Sequence, residues 1–205
     1  MLERTAAALL VVLTWGSVDA PVDTTSAGRD GTTSLTDDRV ELVDMPDELA
    51  DMAFSAIALF DEAGLRLPPL EFVYHGDDRT ACSGWAGVHR HVDGRSSVHI
   101  CTSEPGPVTE ALVLHETAHA WAAHDLPEDR KRDFRSLRGW TVWSDHGTVD
   151  WHENGSEQAA EIMVWGLMDR PIGIVTIHDS SCADLEAGFR ALTGQGPLHG
   201  YRDHC

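Results

Sequence analysis

The chain has 205 residues, 34 of them acidic and 15 basic, for a formal net charge of −19 at neutral pH. That length suits one domain of ordinary size with a real core. So negative a charge argues against nucleic acid or an anionic membrane as a partner and leaves the substrate class open.

At the N-terminus Arg4 precedes an apolar run from Ala6 to Trp15, followed by small residues. The run is too short to span a membrane comfortably and reads as a signal peptide over 1–20, with Val18 and Ala20 fitting the small-residue cleavage pattern. Pro21 is an awkward residue to follow the cut, and no Cys follows the run as a lipid anchor would require. Residues 21–38 are rich in Thr, Ser, Gly and Asp and read as a disordered linker, which leaves 39–205 as the folded domain.

Met45 to Gly64 carries helix-spaced Leu49, Met52, Ala53, Ala56, Ile57 and Phe60, with a Gly that can end the helix. Leu70 to Tyr74 reads as a strand. Ser83 to His91 and Arg95 to Cys101 read as two strands joined at Asp93-Gly94, a strong hairpin signal. His89, His91 and His99 fall on this hairpin, where solvated strand-face histidines are a simpler reading than a metal site. Val108 to His124 reads as a helix that is apolar around most of its circumference, opened by Pro107 and closed before Pro127.

Arg130 to Arg138 reads as a short charged helix, and Trp140, Trp143 and Trp151 follow as either a packed wall or a binding surface. A further helix runs through Glu157 and Glu161 into Ile162, Met163, Val164 and Trp165, and a last one covers Asp184 to Leu192. Cys82, Cys101, Cys182 and Cys205 permit three pairings. Pairing Cys82 with Cys101 and Cys182 with Cys205 closes two local loops. Disulfides agree with export, whereas reduced thiols would suit a cytoplasmic chain; no C-x-x-C spacing supports a cysteine zinc site.

The chemistry is concentrated in His115-Glu116-Thr117-Ala118-His119, inside the 108–124 helix. Residues four apart share a helix face, so two imidazoles can grip one metal ion with Glu116 beside them. Zinc suits such ligands, and two nitrogens with one carboxylate leave a tetrahedral position for water, whose pKa falls from ~15.7 to about 7. Glu116 is then the general base. Burying these three side chains in an apolar helix would be costly without a partner such as a metal. Glu157 and Glu161, also four apart, offer one carboxylate to the metal and one to hydrogen-bond a ligand imidazole.

The pair of H-E-x-x-H with a later E-x-x-A-E helix resembles the gluzincin branch of the zincin metallopeptidases, over roughly Val98 to Leu167. The resemblance implies His115, His119 and Glu157 as zinc ligands, Glu116 as base and Glu161 as the acid behind a ligand. It also implies an α+β zincin-like fold, in which a small sheet with an edge hairpin packs on the active helix and lines the substrate cleft. Gluzincins stabilise the oxyanion with a Tyr or His; His146, His152 and Tyr201 are the possible residues here. Asp125, six residues after His119, is the rival third ligand of a snapalysin-like metzincin. That branch has Gly three residues after the second His, where this chain has Ala122, which prolongs the helix.

The reading is a secreted, monomeric zinc peptidase acting on peptides or proteins by a zinc-activated water. Hydrolysis of a nonpeptide amide, or a noncatalytic zincin-fold module that keeps zinc for structure, are the alternatives.

Overall fold

In the computed structural model the described residues are 39–144, 153–170 and 181–200. The chain divides into two units, Met1–Leu35 and Thr36–Cys205, and all described residues lie in the second. The expected signal peptide and linker, and also His146, Trp151, His152, Tyr201 and Cys205, lie outside the described residues.

The elements in chain order are β1 (Val40–Val43), α1 (Asp47–Glu62), β2 (Leu70–Tyr74), β3 (Gly87–Val92), β4 (Arg95–Ile100), α2 (Pro107–His124), α3 (Glu128–Arg138), α4 (Gly155–Leu167) and α5 (Cys182–Thr193). This is the expected α+β content: one four-stranded sheet and five helices among the described residues. The strand order is β1-β2-β4-β3. β1, β2 and β4 run parallel, and β3 alone is antiparallel, paired to β4 as a hairpin.

The hairpin turn is the one the sequence signals, with Asp93 and Gly94 both at positive φ, 51° and 78°. That conformation suits a two-residue turn whose twist matches the strands. The hairpin's first strand starts later than expected, at Gly87 instead of Ser83, because Ser83 and Gly84 are also at positive φ, 55° and 95°, and cannot continue a strand. β1 was not foreseen. At four residues, VELV is too short to show a period, and its place is set by parallel pairing with β2 from Val40↔Leu70 to Val43↔Val73.

α1 buries Leu49, Ala53, Ala56, Ile57 and Phe60, the stripe its spacing dictates, and packs on α2, where the Phe60 and Trp121 rings lie 6.3 Å apart. Phe72, Val98 and Ile100 are fully buried on the sheet; each such side chain contributes about 1.5–3 kcal/mol. α2 lies against β3 and β4 on one side and α4 on another, and α5 packs on α3 and α4. Thus the motif helix is the central one. Trp140 and Trp143 pack on Phe134 at ring distances of 5.9 Å and 6.2 Å, so these two tryptophans form a wall.

Cys82 and Cys101 form a disulfide, as the local-loop argument favours. It ties the turn before β3 to the end of β4, and closing a loop of 19 residues stabilises by about 3 kcal/mol. Cys182 is also disulfide-bonded. No helix among the described residues is long and apolar enough to cross a membrane.

Candidate metal centre

α2 runs unbroken from Pro107 to His124, so His115 and His119 do stand one turn apart on one face. That face meets α4, whose first turn is placed by two devices. Asn154 caps the helix, its side-chain oxygen accepting from the Ser156 N–H, and the Gly155 and Ser156 N–H groups donate to the carbonyls of Val142 and Trp143. A Cβ on Gly155 would stand 2.9 Å from the Val142 oxygen, so only glycine lets α4 dock this closely. Glu157 follows in the next position of the turn and reaches the histidines.

The three donor atoms form a tight triangle. His115 Nε2 lies 3.1 Å from Glu157 Oε2 and 3.1 Å from His119 Nε2, and His119 Nε2 lies 3.3 Å from Glu157 Oε2. Ligand atoms about 2.1 Å from a tetrahedral metal stand about 3.4 Å apart, so these three edges match one face of such a tetrahedron. Among the described residues, His115, His119 and Glu157 are the only group of three or more His, Cys, Asp or Glu side chains placed to hold a metal ion. The donor set, two imidazoles and a carboxylate, suits a borderline cation better than calcium or magnesium, which take oxygen.

Glu161, one turn beyond Glu157, reaches the other side of the His115 ring, with Oε1 3.1 Å from Nδ1. Nδ1–H donates to that carboxylate, which leaves the Nε2 lone pair aimed into the triangle. Burial favours the neutral His115 ring, but the Glu157 and Glu161 carboxylates outweigh it and hold its pKa well above the ordinary value. Burial likewise disfavours the Glu157 carboxylate, yet its hydrogen bonds to His115 and His119 win and keep it well below the usual range. A cation bound among these three donors would do the same work as the proton.

Glu116 is 6% exposed and takes no part in the triangle. Burial pushes its carboxyl up, against the pull of the His115 and His119 charges. Its carboxylate accepts the backbone N–H of His89 on β3. Contact there is close: a Cβ on Gly87 would stand 3.1 Å from Glu116 Cγ and from Leu112 Cδ1.

Asp125, the rival ligand, caps the C-terminus of α2 and pairs with Arg66 at 3.0 Å, outside the triangle. Sequence reasoning missed the part played by β3. His89, read as a solvated strand histidine, is half-buried, and its ring stacks on His119 with centroids 6.5 Å apart and planes 13° from parallel. Burial first, then the nearby His119, His91 and His99 imidazoles, pull its pKa down to about 3. The available signal was the alternation of Gly87, His89 and His91 on one strand face, but only the packing on α2 shows where that face points. On the other face His99 hydrogen-bonds His75 at 2.8 Å, and burial, then Arg90 and His75, bring its pKa down to about 4.

Comparison of the chain with protein-family models, curated proteins and solved structures finds no match.

Proposed function

We propose that this chain is an exported zinc peptidase of gluzincin type, hydrolysing peptide bonds in peptides or proteins. The observation that carries the reading is the triangle of His115 Nε2, His119 Nε2 and Glu157 Oε2, at tetrahedral spacing, with the unliganded Glu116 carboxylate on the same helix beside it. A zinc ion held there would supply Lewis acidity to the scissile carbonyl and lower the pKa of water.

The protein groups would do the rest. Glu116 takes the proton of the attacking water and delivers it to the leaving amine; its raised pKa suits a group that must both accept and release a proton. The His89 N–H fixes the carboxylate's orientation. Glu161 keeps His115 in the tautomer that presents Nε2.

The substrate track follows from hairpin register. Val92 and Arg95 flank the two-residue turn and form a hydrogen-bonded pair, and such pairs alternate down the ladder through Arg90↔Ser97 and Val88↔His99 to Ala86, whose carbonyl accepts Cys101 N–H at 2.7 Å. The backbone groups of Gly87, His89 and His91 therefore point to the outer edge of β3. An extended peptide adding to that edge lies alongside Glu116. Export is supported by the Cys82–Cys101 disulfide, since such bonds persist in oxidising compartments.

The test is metal analysis of the purified chain, followed by a peptide-library cleavage assay of the wild type and Glu116→Gln. About one zinc per chain and cleavage lost in the variant are expected; protein that takes up no stoichiometric zinc sinks the reading.

A further inference from the structure

The hairpin carries a second set of donors that peptide hydrolysis does not use. His89 and His91 are two residues apart on β3, so their rings share the face turned to α2, and Ser96 of β4 lies directly opposite His91 in the register. Ser96 is only 3% exposed. Its Oγ lies 3.2 Å from His89 Nε2 and 3.1 Å from His91 Nδ1.

Two ring nitrogens thus converge on one hydroxyl oxygen. Both contacts are hydrogen bonds, and their lengths are also close to the edge of about 3.3 Å between neighbouring ligands of a small tetrahedral cation, so an ion could replace the hydroxyl proton. The three groups differ in exposure: His89 is half-buried, whereas His91 is open to solvent and gives an ion a way in. Nitrogen donors select zinc or Cu(II) over the hard cations.

We infer that His89 Nε2, His91 Nδ1 and Ser96 Oγ form a second site for a borderline divalent cation, separate from the His115–His119–Glu157 triangle. Water completes its coordination. It binds less tightly than the first site, because it lacks a carboxylate and a cation already held in the triangle repels a second. The two sites are joined through His89, whose ring stacks on His119 and whose backbone N–H holds Glu116.

The experiment is equilibrium dialysis of the purified full chain against rising zinc, with bound metal read by elemental analysis and folding checked by circular dichroism. Wild type should take up a tight first equivalent and a weaker second. His91→Ala should lose the second and keep the first, Ser96→Ala should weaken the second, and His99→Ala, altered on the opposite sheet face, should keep both. Wild type that stops at one equivalent overturns the inference. So does a second equivalent that survives unchanged in His91→Ala or Ser96→Ala. Loss of the first equivalent alone, with a His91-dependent one retained, would instead overturn the proposed peptidase centre.

Discussion

Glu161 Oε1 stands 3.1 Å from His115 Nδ1, while Glu157 Oε2 stands 3.1 Å from Nε2 of the same ring. Two acids four residues apart on one helix face ordinarily repel. Here the imidazole separates them and offers each carboxylate one ring nitrogen, so the like charges become two ends of one hydrogen-bonded relay.

The first prediction follows from that bracket. Glu157→Ala should remove a ligand and weaken zinc binding severely, whereas Glu161→Ala, which only frees the ring to turn, should weaken it by about 10 to 100-fold. Asp125→Ala should leave affinity intact, because Asp125 belongs to Arg66 in an exposed pair worth about 0–1 kcal/mol. Competition with a chelator of known affinity measures all three. The reverse order, with Asp125→Ala stripping the zinc, would return the chain to the snapalysin-like arrangement.

Glu116→Gln is the second. The amide keeps the shape and leaves the triangle untouched, but it cannot accept a proton, so zinc should stay and turnover should fall by about 100-fold or more. Steady-state kinetics on any substrate from the library decides it; full activity in the variant would remove Glu116 from the mechanism.

A third concerns the strand that touches Glu116. Gly87→Ala places a methyl 3.1 Å from Glu116 Cγ and Leu112 Cδ1, so the carboxylate or the strand must give way. Displacement of a base by a fraction of an ångström to about 1 Å costs up to about 100-fold. The expected result is a lower kcat with zinc content unchanged, while Val88→Ala, on the other face of the strand, leaves kcat alone. Equal kcat for wild type and Gly87→Ala would show that the contact does not position the base.

What the sequence disclosed and what it hid divide along a physical line. The members of the His115–His119–Glu157 triangle were legible because helix periodicity places His115 over His119 and Glu157 below Glu161, and because Pro107 and Asp93-Gly94 mark boundaries by local sterics. β1 and the β3–α2 contact were not, because both are set by pairing between segments far apart in the chain. His89 shows the limit most clearly: alternation gives it a face, but only the docking of β3 on α2 turns that face from solvent to His119.

Acid should destabilise the fold in a defined window, which is the fourth prediction. His99 takes up a proton at pH 6.5 when unfolded but only near about 4 when folded, since burial, Arg90 and His75 oppose the charge. Between those values the unfolded chain binds more protons, so stability falls as pH drops from 6.5 towards 4 and the contribution flattens below that. Urea midpoints across this range should fall for wild type and fall less for His99→Gln. An identical pH slope in the two proteins would show that His99 is not a source of the acid sensitivity.

The last prediction concerns Gln158, the neighbour of Glu157, whose carboxylate reaches the two histidines. Its side chain is fully buried, and among the described residues neither the amide nitrogen nor the amide oxygen has a hydrogen-bond partner. An unsatisfied buried amide costs about 1–3 kcal/mol, and an apolar group of the same length avoids that loss. Gln158→Met should therefore raise the unfolding free energy by about 1 kcal/mol or more and the melting temperature by about 2–4 °C per kcal/mol. Zinc content should not change, because the substitution leaves Glu157 and the α4 cap in place. Thermal unfolding with and without added zinc separates the two effects. A destabilised Gln158→Met with normal zinc would mean that the amide is satisfied in solution, and a variant that loses zinc would mean that Gln158 helps hold Glu157 against the histidines.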